Sequence, residues 1–210
     1  MVATDYILAL NDISAYQGGL LTTAQAEATG VPRHALSRLE KKGLLERLAK
    51  GIYRMGGAPA TREGDVLAVW LSLNPNRDPG SSVDGPGTIV ACGATAAWLL
   101  GLGEVGPEPY EFSCAERRQT HRSNVILHKR AYQPSEVTVV GGVPVTIPTR
   151  TVLDLAASDE DPSLVANVLT DALPGLSPGD REVLAGRLDE LKRSPRRGAC
   201  AAPLTAMLVG

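Results

Sequence analysis

The chain has 210 residues, 43% of them hydrophobic, and 21 Lys/Arg against 23 Asp/Glu give a formal net charge of −2. That suits one domain of ordinary size plus a small head, and its 22 Gly and 15 Pro fall below the level that marks a disordered chain. No stretch approaches the length of a membrane span, Met1–Asp5 lacks the basic start and apolar run of a signal peptide, and the widely spaced Cys92, Cys114 and Cys200 fit neither a zinc site nor a disulfide framework. A cytoplasmic protein is expected.

In chain order, Tyr6–Leu10 and Ile13 predict an amphipathic first helix. Thr22 or Thr23 can cap a second helix running to about Thr29, because a hydroxyl there satisfies free N–H groups. Gly30 ends it as a left-handed residue. Pro32 suits the first turn of a third helix, where its missing N–H is harmless. Ala35, Leu36 and Leu39 recur at helical spacing and face inward. Arg33, His34, Ser37, Arg38, Lys41 and Lys42 are left toward solvent, and Gly43 closes the helix. A helix, a tight turn and a second helix with a polar, basic face make a helix-turn-helix.

Leu44–Leu48 and Ile52–Met55 then read as two strands joined by a turn at Ala49-Lys50-Gly51. A β-hairpin directly after a recognition helix is a wing. From Gly30 to Arg54 there are seven Lys/Arg and two acids, a local charge of +5 that leaves the rest of the chain at about −7. A basic module on an acidic body is the footprint of a duplex-binding head. Arg33, His34, Ser37 and Arg38 would face base edges or flanking phosphates. Lys41 and Lys42 would touch phosphate, and Arg47, Lys50 and Arg54 would anchor the wing on the backbone or probe the minor groove. Thr23 joins this DNA-binding set.

The chain is expected to divide near residues 56–60, giving a winged helix-turn-helix domain over 1–57 and a larger α+β domain over 58–210. In the second part a helix is predicted from about Thr61 to Leu71. The Pro/Gly/Ser-rich Asn74–Gly87 reads as a surface loop. Ile89–Cys92 is a short buried strand or a helix start, and Gly93–Leu100 a buried helix ending at Gly101. Tyr110–Ser113, Val125–His128, Val137–Val140 and Val143–Thr146 are β-rich, with Gly141-Gly142 as a tight hairpin turn between the last two. Helices follow over 148–157, near 162–172 and over 178–193. Gly198–Gly210 is small, apolar and unpatterned, a tail either disordered or docked.

A second basic stretch, Cys114–Arg130, holds Arg117, Arg118, Arg122, Lys129 and Arg130 against one acid, Glu116. Three uses are open: a longer DNA footprint, a meeting point for an acidic or phosphate-bearing partner, or a solvated loop and strand edge. His121 and His128 lack a third ligand type nearby, so no metal site is expected, and no cofactor is implied. A metal-dependent nuclease would need carboxylates and a lysine clustered on a strand. Glu190-Leu191-Lys192, with Asp171 or Asp180 upstream, has the spacing, but its context reads as an amphipathic helix. No phosphate-binding glycine loop or nucleophile elbow is present, so the chain is not expected to be an enzyme.

The winged head PRHALSRLEKKGLLERLAKGIYRM, together with ATAAWLLGLG, the strand ending HKR and the run GGVPVTIPTRTVLDLAA, resembles the AbiEi-type antitoxins of toxin–antitoxin systems. The resemblance covers about residues 4–175, and the run at 142–156 is its most diagnostic part. It implies a head that binds inverted repeats in its own promoter and represses the operon; two or more copies binding cooperatively through the DNA and a preformed dimer are both open. It also implies a C-terminal domain serving antitoxicity toward a cognate nucleotidyltransferase toxin encoded beside it. A plain winged-helix repressor with a ligand-sensing or dimerising second domain is the alternative.

Overall fold

A computed structural model of the chain describes residues 3–77, 88–192 and 198–209. These form two compact units: the residues up to 77 together with 141–143, and the remainder from 88 onward.

The first unit begins with α1 (Ala3–Ser14), β1 (Leu20–Thr22), α2 (Thr23–Ala28) and α3 (Arg33–Lys41). It continues with β2 (Leu45–Ala49), β3 (Ile52–Met55) and α4 (Gly64–Leu73). The apolar positions that set the helical period meet in one core of Leu10, Ile13, Leu21, Ala26, Val31, Ala35, Leu36, Leu39, Leu45 and Tyr53. The hairpin β2–β3 is antiparallel, and β1 adds on its far side to give the order β1-β3-β2. That third strand has no counterpart among the sequence expectations. Leu20-Leu21-Thr22 is three residues long and buried on both faces, so it shows no alternation to betray it. The helix expected from Thr61 starts at Gly64, and α4 packs on β1 and β3 of this same unit, beyond the break expected at 57. Val66 to Leu71 are all buried, which is why this helix is apolar all round.

The second unit comprises β4 (Val90–Ala91), α5 (Gly93–Leu100), β5 (Tyr110–Cys114), β6 (Val125–Lys129), β7 (Val137–Val140) and all but the first residue of β8 (Val143–Thr146). Then come α6 (Pro148–Ala156), α7 (Pro162–Ala172), α8 (Pro178–Lys192) and α9 (Gly198–Val209). Its sheet has the order β6-β5-β4-β8-β7 and is mixed: β5 runs parallel to β6, β4 parallel to β8, and β4 antiparallel to β5. Beside it, α6, α7, α8 and α9 close a core of aliphatic side chains that includes Val152, Leu155, Val168, Leu169, Leu184 and Leu188. The chain is α+β, as its pattern of elements predicts. The tail read as unpatterned is the helix α9, with Ala201 and Leu204 fully buried in that core. Its small side chains are apolar on every side and Pro203 interrupts it, so neither period nor propensity announces a helix. The surface loop expected over Asn74–Gly87 lies mostly outside the described residues, as does the last residue of the 178–193 helix.

Candidate nucleic-acid interface

The turn between α2 and α3 is held by matched end structures. Thr22 caps α2 through a reciprocal box: the Gln25 N–H donates to Thr22 Oγ1 at 3.0 Å, and the Thr22 N–H donates to Gln25 Oε1 at 2.9 Å. Beyond the C-terminus of α2, Gly30 takes φ 83°, its N–H donates to Glu27 O, and the Val31 N–H donates to Ala26 O. Beyond α3, Gly43 does the same at φ 70°, with bonds to Glu40 O and, from Leu44, to Leu39 O. A left-handed residue suits glycine at both places, and the two stops fix α3 to the length its inner face needs. Pro32 stands as the N-cap of α3, one residue before the position expected for it.

On α3 the inward residues Ala35, Leu36 and Leu39 are buried, and Arg33, His34, Ser37, Arg38, Lys41 and Lys42 are all exposed. One helix face is therefore packed and the other is polar and cationic. At the wing, Lys50 and Gly51 form the tip between β2 and β3, and the Thr23 N–H donates to the Gly51 carbonyl at 2.9 Å. Thr23 thus ties the start of α2 to the wing tip. Arg47 is exposed on β2. Arg54 faces its cross-strand partner Glu46, and the two form an ion pair that leaves Arg54 half-buried. Arg33 is also paired: its Nε donates to Glu27 Oε1 at 2.9 Å and its Nη2 to Glu27 Oε2 at 3.4 Å. Among the described residues Arg38, Lys41, Lys42, Arg47 and Lys50 have no ion pair.

Residues 9–56, which span this interface, match a family described as a transcriptional regulator, AbiEi antitoxin. Residues 89–202 match the AbiEi antitoxin C-terminal domain, over more than half of the chain. The chain belongs to the AbiEi antitoxin family. No curated protein matches it. Membership carries an antitoxin with a DNA-binding regulatory role, and the families concerned are regulators rather than enzymes in general. Among the described residues, no helix of this AbiEi-family chain is long and apolar enough to cross a membrane.

The run at 142–156 has a physical basis in the AbiEi C-terminal domain. All four residues of β8 are buried, and Pro148 opens α6 at a position that needs no N–H. Thr151 Oγ1 lies 2.8 Å from Thr146 Oγ1 and donates to backbone carbonyls behind it, stitching strand to helix. Asp154, buried, accepts from Arg150 Nε at 3.0 Å, from Tyr132 Oη at 2.6 Å and from Arg130 Nη1. Arg150 also donates to Glu136 at 3.0 Å and lies 4.8 Å from the centre of the Tyr132 ring, and Arg187 adds a second cation on Glu136 at 3.0 Å. Burial pushes the Glu136 carboxyl up, but hydrogen bonds from the Gln133 N–H, Arg187 and Arg150 outweigh it and hold the group below the ordinary carboxylate range. Burial, then Cys92 and Asp154, push the Tyr132 phenol well up, so it stays protonated and donates. Burial, then Asp154 and Glu111, push the Cys92 thiol up too, which removes it as a nucleophile at neutral pH. Sequence reasoning missed this network. Its one legible trace is Arg150 four residues before Asp154.

The second basic stretch is divided between the two ends of the β5–β6 pair. Arg130 is committed to Asp154. Arg117 and Arg118 lie exposed in the loop after β5, and Lys129 ends β6 opposite Cys114. Because β5 and β6 are parallel, that loop must run back along the strand pair, about 13 Å for five residues. Arg122 therefore sits at the other end, its carbonyl accepting from Val125. His128 Nε2 is 2.8 Å from Glu111 Oε2, as a pair inside the domain. Positions 190 and 192 lie on α8, where a two-residue step turns about 200° around the axis. Asp171 accepts from the Gly103 N–H, and Asp180 from Ser177 at the start of α8. Asp171 and Asp180 are thus engaged in contacts of the domain's own structure.

Proposed function

We propose that this chain is a non-enzymatic antitoxin that represses its own operon by binding inverted repeats in its promoter. Its C-terminal domain would neutralise a nucleotidyltransferase toxin encoded beside it. The observation that carries the DNA reading is the exposed face of α3, where Arg33, His34, Ser37 and Arg38 stand over a fully packed inner face, with Lys41 and Lys42 at the helix end and Lys50 at the wing tip. A helix so arranged enters the major groove with its N-terminal half toward base edges, while cations at the helix end and wing meet phosphates. Arg54, held by Glu46, contributes less than Arg47 and Lys50 to this footing. The toxin half of the proposal rests on the family of the C-terminal domain.

The test is made in cells. A reporter driven by the chain's own promoter is silenced by the wild-type protein and released by Arg38→Ala. Co-expression with the neighbouring nucleotidyltransferase restores growth that the enzyme alone arrests. Repression without rescue would leave a plain repressor, and rescue without repression would remove the DNA reading.

A further inference from the structure

Of the cations on the exposed face of α3, Arg33 is the one held by an acid. Glu27 comes from the last turn of α2, six residues earlier, and grips the guanidinium with both oxygens across the helix-turn-helix turn. Its neighbours Arg38, Lys41 and Lys42 carry no such partner among the described residues.

This bridge does little for the fold. Both partners are open to water, with side chains 76% and 42% exposed, and an exposed pair of this kind contributes only fractions of a kcal/mol. The turn is already fixed by backbone bonds at Gly30 and Val31 and by burial of Val31. What the bridge does control is the availability of Arg33. The residue stands in the first turn of α3, the end that faces base edges when such a helix docks. A guanidinium already satisfied by a carboxylate must give up that charge-assisted pair before it takes a phosphate, so its net gain from a phosphate contact is small.

We infer that Glu27 restrains sequence-independent DNA binding: it occupies Arg33 in the free protein and suppresses its contact with phosphate. The inference rests on the reading of α3 as the DNA-contacting helix. Glu27 needs no contact with DNA to act, because it acts through Arg33.

The experiment is a double-mutant cycle. Full-length wild type, Glu27→Gln, Arg33→Ala and the double variant are titrated with one shuffled-sequence duplex across a salt series. Both positions are exposed, and circular dichroism melts of the four proteins should coincide. Glu27→Gln is expected to tighten binding to the shuffled duplex about threefold and to steepen the log–log salt slope by about 0.9, one extra phosphate. In the Arg33→Ala background the same change should give no gain. An equal gain in both backgrounds would overturn the inference, since Glu27 would then act only as a charge near DNA. So would no gain in either. Failure of all four proteins to bind the promoter duplex as well would instead overturn the DNA reading itself.

Discussion

Arg150 and Asp154 face each other one turn apart on α6, with Arg150 Nη2 3.0 Å from Asp154 Oδ1. Asp154 is only 5% exposed and carries Arg130 and Tyr132 as well. A carboxylate in that position is compensated by several donors, and removing it strands them. Asp154→Asn is expected to destabilise the C-terminal unit by about 3 kcal/mol, seen as a lower midpoint in urea unfolding. An unchanged midpoint would mean that the network is solvated and incidental.

The acid limb of stability should depend on Glu136. A carboxyl held below its ordinary value of 4.5 in the folded state contributes stability that is fully present above that value. The contribution is lost as the pH falls through the lower folded value. Glu136→Gln should therefore be less stable than wild type at pH 7, and the gap should close as the pH is lowered below 4.5. A gap independent of pH, measured by urea titrations at several pH values, would show that the ionised form is not what Arg150 and Arg187 hold.

Two substitutions on α3 separate its faces. Leu36 is fully buried, and Leu36→Ala should lower stability by about 3 kcal/mol. Arg38 is exposed and unpaired among the described residues, and Arg38→Ala should leave the melting temperature in place while reducing promoter affinity by about 1–3 kcal/mol. Thermal melts and DNA titrations of the same preparations check both. Unchanged affinity for the Arg38 variant would take this helix out of the groove.

The head was legible in the sequence because its devices are local. Gly30 and Gly43 mark the helix stops, a threonine at 22 or 23 marks the cap of α2, and Ala35, Leu36 and Leu39 mark the inner face. The short strand β1 was not, since burial on both faces erases its alternation, and nor was the helix α9, whose exposed face (Ala202, Pro203 and Ala206) is as apolar as its buried one. Side-chain partners are a matter of tertiary approach, so the sequence alone could not separate Arg33 and Arg54, which are paired, from Arg38 and Lys50, which have no ion pair among the described residues. The same limit applies to the second basic stretch. Five cations close in sequence do not say that the parallel β5–β6 pair carries Arg122 to its far end or that Arg130 pairs with Asp154. The Asp154 network gathers residues from 130 to 154 and was visible only as one i, i+4 spacing.

On the proposed function the winged head reads an operator. The direct measurement is binding of the full-length protein and its Lys50→Ala variant to its own promoter and to a shuffled duplex across a salt series. The expected result is tighter binding to the promoter, with a log–log slope near −0.9 per phosphate contact. Lys50→Ala should weaken both duplexes alike and flatten the slope by about 1. Equal, weak binding of the wild type to both duplexes would contradict the claim and leave the head without a DNA-reading role of its own.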